Sequence, residues 1–344
     1  MKTKTLKLLG CAVLSGLFAF VSQAQSVSST PVGYVTLTIN GDGYTALSNP
    51  LENAVVYSGT ASSVSGATIT ASFSMTNSEL AGTDFQGNST HYIQTSSGVI
   101  IDIVGNDTTS ITAANDLSGL VASSDEIHIK KYNTVSDLLS SDNSIGLTSG
   151  GASNSDLVYL MSTDGAGEYT TLYYQTDNLG FLGGNGWRSI STGAFVDASN
   201  AIIAPDDGII VRRISSGDLS VVVTGTVNTI AHSKSLPQGF SLVSYPFPVA
   251  TALNNSGIYS ADNGYVSASA SNSDLVYVIT LEGNFTTYYY QTDNLGFLGG
   301  NGWRSLASGP FVDVGNTEIP VGSSIIVKHI GSGLEWEDAI PYVL

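Results

Sequence analysis

The sequence predicts an all-β protein made of two duplicated modules of sandwich or barrel type, the first interrupted by a small inserted β-barrel-like domain. Three observations carry this. Apolar residues make up 42% of the chain, with 17 tyrosines, and fall in short β-branched runs between turn signals. A seventeen-residue block, YYQTDNLGFLGGNGWRS, stands at Tyr173–Ser189 and again at Tyr289–Ser305. Six further strand-like runs fill a stretch that only the first copy contains.

The chain opens with an export leader. Lys2, Lys4 and Lys7 precede an apolar run from Leu8 to Val21, and Ser22-Gln23-Ala24 places cleavage after Ala24. Leu8-Leu9-Gly10-Cys11 also has the look of a lipid-anchoring site, but the apolar run continues past the cysteine. Cys11 is the chain's one cysteine, so the mature chain has neither disulfides nor thiolate metal ligands. The run is too short to span a bilayer, and no transmembrane segment is expected in the mature chain. The expected location is periplasmic, cell-surface or extracellular.

The first module is read as discontinuous, 31–52 plus 134–231. Its early strand GYTALSNPL (Gly43–Leu51) echoes GFSLVSYPF (Gly239–Phe247), where the second module, 239–344, begins. The insert, 53–133, has strand signals at Val55–Ala61, Ala67–Phe73, His91–Thr95, Val99–Val104, Ser110–Ala113 and Glu126–Tyr132. Short helical turns are expected near Val135–Leu139 and Val249–Leu253. SNSDLVY at Ser153–Tyr159 recurs at Ser271–Tyr277, and each opens a hairpin into the identical block. The first hairpin is two residues longer at Asp164–Gly167, a change that a hairpin tip tolerates. Ile209–Ile214, entered through Pro205-Asp206-Asp207-Gly208, closes the module. Ser233–Gln238 reads as the linker between copies.

The start PVGYVTLTI (Pro31–Ile39), the segment GTASSVSGATIT (Gly59–Thr70), the segment Asp107–Tyr132 and the paired modules together resemble a family of uncharacterised exported proteins of verrucomicrobial bacteria. The resemblance covers nearly the whole mature chain. It implies export and a β-rich fold, and it implies no activity and no catalytic residues.

Charge narrows the partners. Without the leader's three lysines the chain keeps 8 basic against 28 acidic residues, a net charge of −20. Such a surface repels nucleic-acid phosphates and anionic lipid. Solubility is the preferred explanation of the charge, with cation binding as the functional alternative. A structural calcium ion is the one cofactor considered, at Asp177-Asn178, Asn40-Gly41-Asp42-Gly43, Asp206-Asp207 or Asp262-Asn263-Gly264. None of these has EF-hand spacing, and Asp and Asn also simply form turns. The histidines His91, His128, His232 and His329 lack metal spacing, and neither a nucleophile elbow nor a phosphate loop is present. Catalytic residues are therefore not assigned.

The identical block is the main functional lead. Its seventeen residues match fully, while the next twenty-eight aligned positions match at twelve. Either the block is locally constrained or the two stretches were homogenised in the DNA. Its candidate contact residues are Tyr173, Tyr174, Asp177, Asn178, Trp187 and Arg188, with Tyr289, Tyr290, Asp293, Asn294, Trp303 and Arg304 in the second copy. Aromatic faces beside amides and carboxylates suit sugar rings. They equally suit a subunit contact, or a glycine-rich loop pinned into its own core. The reading favoured is an exported, non-catalytic cell-surface or extracellular structural or interaction protein whose modules act as scaffold or self-association units. The alternatives are a glycan-binding protein with two equivalent weak sites and an enzyme acting on an extracellular polysaccharide.

Overall fold

The computed structural model describes residues 30–279, 284–293, 296–297 and 299–342. The leader and Asn294 lie outside the described residues. The fold is all-β, with two sets of layered sheets and a closed six-stranded barrel.

In the first set, a five-stranded antiparallel sheet has the order Gly186–Ser189, Tyr169–Gln175, Leu157–Met161, Ile209–Arg213, Gly43–Leu47. A second layer pairs Val32–Ile39 with Leu219–Val227, which also pairs with Leu51–Glu52. Period-two alternation sends Leu37, Ile39, Val221 and Val223 from one layer against Leu47, Val158, Leu172, Tyr174, Trp187 and Val211 from the other. The helix Val135–Leu139 fills the remaining space with three buried side chains. Five residues are too few to hold a helix alone. Burial and a capping box between Thr134 and Asp137 stabilise it.

The second set has the matching strand order. Its sheet runs Gly302–Ser305, Phe285–Gln291, Leu275–Ile279, Ser324–His329, Gly239–Ser244. Its second layer pairs His232–Leu236 with Leu334–Asp338. Ser233–Gln238 is thus largely a strand rather than a linker. Its polar composition hides it, because Lys234 is charged yet nearly buried, its ammonium held between Asp206 and Asp207 at 3.1 and 2.6 Å.

The insert closes into a six-stranded barrel of Val55–Ser65, Thr68–Ala71, Ser110–Ala113, Ile100–Asn106, His91–Thr95 and Glu126–Lys131, in that spatial order. Alternation points Ile69, Ile93, Ile103, Ile111, Ile127 and Ile129 inward, all fully buried. Closure leaves the barrel no free edge. Its stem is clamped where the chain enters and leaves. Asn53 Nδ2 donates to the carbonyls of Lys131 and Tyr132, and Asn133 Nδ2 donates to that of Leu51. The buried Lys130 ammonium meets Glu52 and Gln94 there.

The two five-stranded sheets meet at the edge strands Gly43–Leu47 and Gly239–Ser244. Leu47 bridges to Ser323 and Asp207 to Val243. Ala46, Ile210 and Leu242 form a small buried cluster between them. The edge strand of the first sheet therefore lies by the second strand of the other, and the reverse. The longer hairpin at Asp164–Gly167 docks on the second set: Phe240 N–H donates to the Gly165 carbonyl at 3.0 Å. A Cβ at Gly239, where φ is +115°, would collide with that carbonyl. The extra residues reach a contact as well as being tolerated at a tip.

Candidate functional site

Each identical block forms a strand, a loop and the outermost strand of its sheet. The pairs Tyr173↔Arg188, Tyr174↔Trp187 and Gln175↔Gly186 recur as Tyr289↔Arg304, Tyr290↔Trp303 and Gln291↔Gly302. Alternation decides where the aromatics go. Tyr174 shares the inward face with Leu172, so its cross-strand partner Trp187 is inward too and has no exposed surface. Their rings meet edge to face, with centroids 5.6 Å apart. The Trp187 indole N–H donates to the Ser140 carbonyl, just past the end of the helix Val135–Leu139. Trp303 is buried against Tyr265 and Tyr290, and Tyr290 stacks on Tyr259. Burial raises the phenol pKa of Tyr174, Tyr289 and Tyr290 above the ordinary value.

Tyr173 and Tyr289 face the other way and are also buried. Arg188 lies across that side as a staple. Its guanidinium donates to four backbone carbonyls, those of Ala194, Trp187, Gly183 and Gly184, at 2.6 to 3.1 Å. Arg304 donates to Pro310, Trp303, Gly299 and Gly300 in the same manner. Gln175 adds donations to the carbonyls of Gly184 and Ala194, as Gln291 does to Gly300 and Pro310. A planar fork with five N–H donors suits this role, which an ammonium cannot fill.

Asp177 organises the loop from inside. Its carboxylate accepts from the backbone N–H groups of Phe181, Leu182 and Gly184, and its own N–H donates to Asn185 Oδ1. Desolvation works to raise its pKa, but these N–H groups hold it below the ordinary carboxylate value. Asp293 accepts from Phe297 and Gly300. Gly180, Gly183 and Gly184 all have positive φ, which lets the loop turn back on this carboxylate. Asn178 is exposed beside it.

The described candidate residues are thus brought together in each repeat, but as a mount. Tyr173, Tyr174, Trp187, Arg188, Tyr289, Trp303 and Arg304 are all buried, and none of these ring faces is open to a sugar. The mount presents residues outside that candidate set. Leu179 is 78% exposed, Phe181 77% and Phe195 73%, with Leu182 and Val196 also exposed. Phe195 stands beside the loop: a Cβ at Gly183 would lie 3.2 Å from its ring. In the second module Phe297 is 77% and Phe311 70% exposed, with Val312 beside Phe311.

Several of the groups considered for calcium have other partners. Asp177 takes backbone N–H groups, and Asp206-Asp207 holds Lys234. Asn263 accepts from Tyr265 N–H and donates to the carbonyls of Gly257 and Ile258. Among the described residues no group of three or more His, Cys, Asp or Glu side chains is placed to hold a metal ion, and no helix is long and apolar enough to cross a membrane. Comparison with known proteins finds no matching family model, no similar curated protein and no similar solved structure.

Proposed function

We propose that this chain is an exported, non-catalytic structural or interaction protein, in which each repeated block is a rigid mount for an exposed apolar tip. One observation carries the reading. The arginine and aspartate of the block hold its backbone and its tyrosines and tryptophan are packed inward, while Leu179, Phe181 and Leu182 in the first copy and Phe297 in the second are exposed. Clustered exposure of large apolar groups marks an interaction surface. The leader supports export, and the mature chain's acidity disfavours anionic partners.

The test is an apolar fluorescent dye added to the folded chain, compared with a variant carrying Phe181→Ser, Phe195→Ser, Phe297→Ser and Phe311→Ser. Saturable binding that the variant loses, at an unchanged melting temperature, supports the reading. A variant that melts early would show that these rings stabilise the fold, and the reading would fail. The same pair titrated with polysaccharides tests the glycan alternative, which needs saturable binding that the variant lacks.

A further inference from the structure

We propose that the tips are self-association sites, each docking against a tip of another copy, so that a chain with two tips builds open strings of molecules. This rests on the interaction reading above and names the partner it leaves open.

Area is the first support. Leu179, Phe181, Leu182, Phe195 and Val196 together expose on the order of 500 Å² of apolar side chain, taking aromatic side chains at roughly 150–250 Å² each. Two such tips face to face remove about 1,000 Å² from water, which is where specific interfaces begin.

Identity of the tips is the second. A surface that pairs with its own copy by a two-fold contact also pairs with any other surface of the same shape. The block that builds one tip is repeated residue for residue in the other. The flanking phenylalanine is matched too, as Phe195 and Phe311.

Placement is the third. Each tip sits on the strand farthest from the junction, Gly186–Ser189 or Gly302–Ser305. The bridges Leu47↔Ser323 and Asp207↔Val243 join the sheets at one end of their strands, and the registers put Gln175 and Gln291, from which the loops leave, at the other end. The two tips of one chain therefore face away from each other. They bind other molecules, and two outward sites give an unclosed chain rather than a closed pair.

Charge is the fourth. The block's one cation is Arg188 or Arg304, and both are buried. Anionic lipid and nucleic acid find nothing to pair with. The acidic neighbours Asp197 and Asp313 pair with those arginines at 3.7 and 3.8 Å, so repulsion between copies comes from the chain's overall acidity, which salt relieves.

The experiment is sedimentation velocity of the chain without its leader, over a range of concentration and salt. The wild type is expected to give a concentration-dependent series extending past the dimer and growing with salt. Phe181→Ser with Phe195→Ser should stop at the dimer, and so should Phe297→Ser with Phe311→Ser. The four-fold variant should remain monomeric, with an unchanged circular dichroism melt. Association of the four-fold variant equal to that of the wild type overturns the proposal, and so does a wild type that stays monomeric throughout. A monomeric wild type that binds phosphatidylcholine vesicles through its tips would overturn self-association and leave the interaction reading standing. A monomer that binds neither vesicles nor the apolar dye would remove both.

Discussion

Replacing Arg188 by methionine removes the staple but keeps most of the side chain's volume. Four charge-assisted hydrogen bonds go, to Ala194, Trp187, Gly183 and Gly184. The carbonyls do not all become orphans. Trp187 O still accepts from Ala198 N–H, and Gln175 still reaches Gly184 and Ala194. Gly183 is exposed and can take water. The loss is therefore well below four full bonds, and relief of a buried charge offsets part of it. A net cost of about 2 kcal/mol follows from charged hydrogen bonds worth roughly 1.5–3 kcal/mol each. For a folded unit of this size that lowers Tm by about 4 °C. If the opening is local, about 2 kcal/mol raises its population roughly 30-fold. Urea unfolding gives the first number, and proteolytic cleavage between Leu179 and Leu182 gives the second. Arg304→Met removes equivalent bonds from the second copy and should match within about 0.5 kcal/mol. Cleavage at the wild-type rate, with stability unchanged, would refute the staple.

Other perturbations separate the remaining contributions. Trp187→Ala and Trp303→Ala each empty a fully enclosed site and should cost about 3–5 kcal/mol in denaturant unfolding, more than loss of the staple. Asp156→Ala leaves the Arg213 guanidinium buried without its carboxylate and should cost about 3–5 kcal/mol. Asp274→Ala, its counterpart, should cost less, because its partner His329 is an imidazole, which exists neutral where a guanidinium does not. Burial lowers the His232 pKa from 6.5 to about 4, so the unfolded chain binds this proton first. That contribution is full above pH 6.5 and falls by up to about 3 kcal/mol as the pH drops to 4. Its cross-strand partner Asp338, pushed up to about 6 by burial, works in the opposite sense and loses stability as the pH rises from 3.8 through 6. Unfolding measured against pH should show the acid-side loss sharpened in Asp338→Asn and removed in His232→Gln.

The fold was legible where apolar periodicity and repetition are strong. Five of the six barrel strands carry isoleucine between turn signals, alternating in Ile100–Asn106 and Glu126–Lys131, and only the strand ends differ, as in Val55–Ser65 against the expected Val55–Ala61. The strand His232–Leu236 was not legible, because the carboxylates that hold Lys234 are 28 and 27 residues away in the chain. The site was legible in position but not in direction. Tyr174 and Trp187 look like contact residues until Leu172 is seen to share a face with Tyr174, which sends both rings inward. Phe181 gave a signal of its own. It stands among Gly180, Gly183 and Gly184 with no alternating partner, so no strand could bury it.

A rigid mount has a thermodynamic consequence for any partner the tips meet. Ordering a loop on binding costs free energy, in addition to about 0.5–1.5 kcal/mol for each side chain immobilised. Here Asp177, Gln175 and Arg188 fix the backbone path before any contact forms, which leaves only the side-chain part to be lost. The mount and the tip should then fail differently. Phe181→Ser removes contact area and leaves the fold untouched, so association falls alone. Arg188→Met touches no presented side chain, yet it frees the loop that carries them, so association and stability fall together. A tip that bound through flexibility would show the reverse for Arg188→Met, with association kept while stability dropped.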